Sequence, residues 1–124
     1  MEIQNVNQRL QNLVPDSQSD IEILKLTEGP MSLWLARLQK DRQLAAHYHR
    51  DGAEIYHVLE GEGLIELGTV SDTGVEWFEE HSIRSGDLFE IAPGVVHRLS
   101  SSTQGLNLIF VTADSHLSSD RTFI

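Results

Sequence analysis

Hydrophobic and polar positions alternate along most of this chain with a period of two. Met31, Leu33 and Leu35 interleave with Ser32, Trp34 and Ala36. Glu54, Tyr56 and Val58 fall on one face of their segment and His57 on the other. Period two marks β-strands, whose side chains project alternately to either side. The pattern predicts strands over 21–26, 31–36, 44–49, 54–59, 64–69, 75–79, 88–91, 95–100 and 106–112. Turn residues separate them: Glu28-Gly29-Pro30, Lys40-Asp41-Arg42, 50–53, Glu60-Gly61-Glu62-Gly63, a hairpin at Ser71-Asp72-Thr73-Gly74, and Ser85-Gly86-Asp87. Ahead of them, Ile3, Val6, Leu10 and Leu13 stand at roughly helical spacing. That predicts one short amphipathic helix, ended by Pro15, then a loop over Asp16 to Asp20. Roughly nine short strands with little helix point to an all-β sandwich or barrel. A barrel of this size encloses side chains or one small ligand.

A chain of 124 residues is expected to be one domain with a sufficient core. It contains no cysteine, which excludes disulfides, a thiolate nucleophile and a Cys-based zinc site and fits a reducing, cytoplasmic setting. The first residues carry no apolar signal segment, and no apolar run approaches the roughly 20 residues of a membrane span. A net charge of −10 argues against nucleic acid and against an anionic membrane surface as partners.

The chemistry is concentrated in His-Tyr-His-Arg-Asp-Gly-Ala-Glu, residues 47–54, and in His97 after Ala-Pro-Gly-Val-Val. His47 and His49, two apart on a strand, share a face. The turn at 50–53 lets Glu54 on the next strand sit opposite them. Imidazoles and a carboxylate suit Fe, Mn, Ni, Zn or Cu. Four such ligands on an octahedral ion leave two positions for substrate, water or dioxygen. A hydrolase triad has no support, because there is no Gly-x-Ser-x-Gly elbow and no Cys-His pair; no phosphate-binding loop is present either.

The same residues resemble the cupin superfamily. Its first motif, approximately G-x5-H-x-H-x4-E-x6-G, reads here Asp41, His47, His49, Glu54, Gly61. Its second, approximately G-x5-P-x-G-x2-H-x3-N, reads Gly86, Ala92, Gly94, His97, Ser101, with the proline displaced to Pro93. Asp41 and Ser101 depart from the pattern at positions that are not ligands. The resemblance covers roughly residues 30–112. It implies a single cupin β-barrel, jelly-roll-like (a double-stranded β-helix), over 29–124. Residues 1–28 are then an N-terminal extension with a short helix and an edge or dimer strand at 21–26. It further implies one divalent transition metal held by His47, His49, Glu54 and His97, a small-molecule ligand or substrate, and a homodimer.

Tyr56 shares Glu54's face and is the one candidate catalytic residue near the site. It can offer its hydroxyl to substrate or to a ligand, and the same alternation equally allows a core tyrosine. Ala45, Val95 and Leu99 share faces with the ligands and make apolar walls. His57 is expected in packing or an interface, His81 and His116 in solvent, Arg98 in a surface ion pair, and Arg37 at the rim or against a partner subunit. Trp34 and Trp77 are expected in the core or an interface; Phe89, Ile109 and Phe110 are core candidates. The leading functional expectation is a metalloenzyme acting on a small oxygen-rich metabolite, of the dioxygenase, decarboxylase or isomerase type. The alternative is a non-enzymatic module that binds or senses a small ligand.

Overall fold

Alternation of apolar and polar residues produces two very long strands that organise everything else. The computed structural model describes residues 1–124. After α1 (Val6–Arg9) and a 3-10 turn (Leu10–Asn12) come β1 (Val14–Pro15), β2 (Glu22–Lys25), β3 (Met31–Leu38) and β4 (His47–Tyr48). Then follow β5 (Glu54–Ser71), β6 (Gly74–Arg84), β7 (Leu88–Ile91), β8 (Val96–Ala113), a second 3-10 turn (Asp114–Leu117) and β9 (Thr122–Phe123).

β5 and β8 pair with each other along both halves, and the register breaks between them near Gly61 and Gly63. Each strand therefore serves two sheets. The first half of β5 lies between β7 and the second half of β8, which also pairs with β3; β2 and β1 extend that sheet. The second half of β5 lies between β6 and the first half of β8, which carries β4 and β9. All of these pairings are antiparallel. The result is a curled all-β jelly roll.

The Glu60–Gly63 stretch predicts a chain reversal, but β5 runs through it. A bend and a reversal use the same residues, and pairing with β8 on both sides decides for the bend. The separate strands predicted over 95–100 and 106–112 are likewise one strand, bent where β8 changes partners. The strand predicted over 44–49 shrinks to His47–Tyr48 plus a bridge between Gln43 and Ser100. The predicted helix is one turn, capped by the Asn5 side chain on the Gln8 N–H at 3.1 Å. A helix this short cannot stand alone. Gln4 and Arg37 tie it to the body through hydrogen bonds to the Leu26 and Leu10 carbonyls.

The core sits between the sheets. Glu54, Tyr56 and Val58 are buried while Ile55 and His57 are exposed, as alternation requires. Val58, Leu38, Leu106, Leu108 and Phe110 are almost fully enclosed. Burying each such side chain contributes about 1.5–3 kcal/mol. β3 is covered on both faces: Ala36 and Trp34 pack against the main cluster, and Leu35, facing the other way, is also buried. Phe89 packs at the cluster's margin, whereas Ile109 is only half-buried, because it shares a register position with exposed His57 on the outer face. Asp41, which replaces the glycine of the first motif, has φ +55. Aspartate is among the few residues with a side chain that tolerate this left-handed conformation, so the turn survives the substitution.

Candidate metal centre

The inward face of the barrel gathers the histidines. β4 lies beside the first half of β8 with His47 directly opposite His97. His49 follows two residues later on the same side. Ring centroids stand 4.3 Å apart for His47–His97, 5.1 Å for His47–His49 and 5.4 Å for His49–His97. One nitrogen from each ring lies within 4.8 Å of the others. Glu54, the first residue of β5, points into the same space and is 3 % exposed.

Backbone carbonyls fix the orientation of all three imidazoles. His47 Nδ1 lies 3.1 Å from the Ala45 oxygen, His97 Nδ1 3.1 Å from the Val95 oxygen, and His49 Nδ1 2.6 Å from the Asp120 oxygen. A carbonyl only accepts, so each Nδ1 carries the hydrogen and donates it. Each Nε2 is then free to present a lone pair, the arrangement that metal-binding histidines use. Glu54 Oε2 stands 3.0 Å from His49 Nε2 and 3.2 Å from His97 Nε2. Those contacts have ion-pair distances without hydrogen-bond geometry, and all three atoms are buried with no hydrogen-bond partner. Buried polar atoms without partners are costly and rare. Neighbouring donors on an octahedral ion with bonds of about 2.1 Å lie roughly 3.0 Å apart. Donor type and tautomer fit a divalent transition metal, and the spacing of the His49, His97 and Glu54 atoms fits one as well.

The electrostatics agree. Burial lowers the His47 imidazole, and the facing His97 lowers it further, to about 3. Burial would raise Glu54, but His49 and His97 hold its carboxyl well below the usual range. Burial would lower His49, yet Glu54 and Asp120 hold it above its ordinary value. An ionised carboxylate enclosed by imidazoles is a cation-attracting site. Tyr56 is pushed far upward, first by burial and then by the Glu54 charge, so it remains a phenol. Its hydroxyl donates to Glu54 Oε1 at 3.1 Å.

Sequence reasoning missed the C-terminal cover. His116, expected in solvent, is fully buried and stacks on His49 with centroids 4.2 Å apart and planes 1° apart. The 3-10 turn after β8 folds it inward, and no local pattern signals this. One atom each from His49, Glu54 and His116 also lie within 4.8 Å of one another. Yet His116 Nε2 donates to the Asp51 carbonyl and Nδ1 accepts from the Thr112 hydroxyl. Neither nitrogen has a lone pair left for a metal, so His116 supports His49 and does not join it.

Asp120 buttresses the same ring. Its carboxylate accepts the Arg50 and Asp51 N–H groups at 2.8 Å each, while its carbonyl accepts from His49. Asp120→Ala frees that carbonyl to drift and is expected to weaken metal affinity by about 10–100-fold, the usual cost of losing an outer partner. Competition against a chromophoric chelator measures it; unchanged affinity would show that the carbonyl holds its place unaided.

The space beside the ligands is small. A cavity of about 30 Å³ is lined by His47, Glu54, Tyr56, Ser19, Arg121 and Phe123, together with apolar residues that include Ala45. That is about the volume one water occupies in the liquid. A larger open cleft of about 560 Å³ lies elsewhere, between Glu62, Ser82, Arg84 and Ser101. The remaining candidates lie outside the centre. His57 and His81 are exposed, the latter 2.8 Å from Glu79. Arg98 forks onto Glu66 at 2.8 and 3.0 Å and covers Trp77 at 4.4 Å. Arg37 hydrogen-bonds Asn107, and Trp34 stacks on Phe110. Leu99 is core, and Val95 packs at its edge.

Comparison with known proteins agrees with this fold. The family model for the cupin domain matches residues 34–113. No curated protein matches the chain by sequence. Among solved structures, protein NMB1881 from Neisseria meningitidis is similar with TM-score 0.64 and 20 % identity, over 91 % of this chain and 100 % of that one. A protein with a double-stranded β-helix domain from Klebsiella pneumoniae gives TM-score 0.69 and 18 % identity, over 99 % and 96 %. Oxalate decarboxylase from Bacillus subtilis, described with Mn(II) centres, gives 0.66 and 13 % over 90 % of this chain but 29 % of its own. At these identities the structures share the fold, and it is the matched domain, spanning both motifs, that makes this chain a member of the cupin family.

Proposed function

We propose that this chain holds one divalent transition metal through His47, His49, Glu54 and His97 and applies it to a small oxygen-rich metabolite. The observation that carries the reading is the set of buried, unpartnered donor atoms: Nε2 of His49, Nε2 of His97 and Oε2 of Glu54. When bound, the metal supplies Lewis acidity and open positions for oxygen donors. The protein supplies orientation. Three carbonyls fix the imidazole tautomers, and Tyr56 keeps Glu54 from turning away by donating to Oε1. Its raised pKa makes Tyr56 a positioning donor and a poor general base. That a barrel of this fold is described with Mn(II) in oxalate decarboxylase supports keeping manganese beside iron, nickel, zinc and copper.

A homodimer belongs to the same proposal. Ile55 and Leu88 are exposed on the outer sheet face, Ile55 in register with half-buried Val111 and Leu88 with His57, and exposed apolar positions of that kind suit a second copy. A second reading, a binding module without turnover, is favoured by Tyr56, the one candidate catalytic residue beside the ligands, which stays a phenol and is engaged with Glu54.

Elemental mass spectrometry on untagged protein, purified without chelator, tests the first reading. About one equivalent of a single transition metal is expected, consistent with one ligand set. No metal, together with no thermal shift on adding any, would overturn it. Thermal stabilisation by chelating acids without product formation would move the assignment to the binding module.

A further inference from the structure

An ion pair drawn from the two ends of the chain lies beside the metal pocket. Arg121 Nη1 and Nη2 donate to the two Asp16 carboxylate oxygens at 2.8 and 3.2 Å, and the side chains are 3 % and 5 % exposed. Arg121 Nε is buried and has no partner, and Arg121 lines the same cavity as His47, Glu54 and Tyr56. Its guanidinium lies 5.3 Å from the Phe123 ring, which in turn lies 5.5 Å from His47. Asp16 is held from the other side by the Ser19 hydroxyl at 2.6 Å. It sits on a loop whose residues 17, 18 and 20 are exposed, so the carboxylate can swing into water without disturbing a strand.

We infer that Arg121 is the anchor for a carboxylate on the metabolite and that Asp16 competes with the metabolite for it. The inference rests on the metal-site reading, which puts the chelating end of the ligand at His47, His49, Glu54 and His97. A buried guanidinium cannot give up its counter-ion without a replacement, because an uncompensated buried charge is strongly destabilising. A neutral ligand therefore cannot displace Asp16, whereas an anionic one exchanges carboxylate for carboxylate and leaves the charge balance unchanged. The planar fork already holds a carboxylate in two-point geometry, the arrangement it recognises best. The substrate class is thus a small 2-hydroxy or 2-oxo carboxylic acid. Such an acid would turn its 2-oxygen toward the metal ligands and its carboxylate toward Arg121.

The test is calorimetric titration of metal-loaded, full-length protein with glycolate and with its neutral isostere glycolamide, with metal content measured for every sample. The wild type is expected to prefer glycolate. Arg121→Gln is expected to lose glycolate affinity by about tenfold or more, as for a lost charged hydrogen bond. Asp16→Asn, which weakens the competitor yet keeps a side chain of the same shape, is expected to bind glycolate more tightly. Equal glycolate affinity in metal-replete wild type and Arg121→Gln overturns the inference and leaves the metal site standing. Absence of metal from the wild type overturns the metal reading itself. Should Arg121→Gln fail to fold, Asp16→Asn decides alone, and unchanged or weaker glycolate binding there overturns the inference.

Discussion

Alanine at Gly61 is expected to destabilise the fold by about 2–5 kcal/mol. Gly61 lies where β5 crosses from one sheet to the other, with φ +95. A Cβ there would stand 2.0 Å from the Gly105 carbonyl oxygen and 2.9 Å from its carbon. Both are backbone atoms at the bend of β8, so no side chain can rotate away to make room. The left-handed conformation alone costs roughly 1–2 kcal/mol for a residue with a Cβ. Forcing the two long strands apart adds an overpacking cost of about 1–3 kcal/mol or more. Together these cost about 2–5 kcal/mol, a large share of the roughly 5–15 kcal/mol that holds a domain of ordinary stability. Gly74→Ala separates the two contributions. It has φ +129 at a hairpin and nothing within 4 Å of the added Cβ, so it bears only the conformational cost. Urea titration should show a small shift in midpoint for Gly74→Ala and a much larger one for Gly61→Ala. Equal midpoints would mean that the crossing is looser than its geometry.

The same crossing shows where sequence reading stops. Glu54, Tyr56 and Val58 display their buried face through alternation alone, and the ligand candidates stand at motif spacing, so both were legible. Glu60-Gly61-Glu62-Gly63 was not: glycine there permits a reversal or a bend, and the choice belongs to β8, which no local window contains. The cover on the metal centre is a second case. His116, Asp120 and Arg121 sit in an unpatterned polar tail, and they matter because that tail folds back over His49 and pairs β9 with β4. Burial of His116 follows from this docking and from its two hydrogen bonds, and hydropathy carries no trace of either. Asp41 is an intermediate case, since a left-handed turn can be read from an aspartate only once a motif marks the position as one that glycine ordinarily fills.

His49→Ala is expected to reduce metal affinity by more than about 100-fold, beyond the 10–100-fold that loss of an outer partner costs. The prediction separates His49 from the histidines that merely lie nearby. His49 is the donor most tightly built in: its Nδ1 is held by Asp120, its face by His116, and its Nε2 stands nearest Glu54 Oε2. Removing it takes one nitrogen from the set and removes the ring that packs against His116. His57, exposed on the opposite face of β5, serves as the control, and His57→Ala should keep a full equivalent. Thermal melts add a readout independent of any reaction. A metal that binds only the folded state stabilises by about 2.7 kcal/mol at 100 times its Kd, so the wild type and His57→Ala should both melt higher on adding metal while His49→Ala stays put. Stability of the metal-free variant should fall by about 1–3 kcal/mol, because the Asp120 carbonyl is left buried without a donor. Equal metal content in His49→Ala and wild type would remove His49 from the ligand set and leave the unpartnered Nε2 without an explanation.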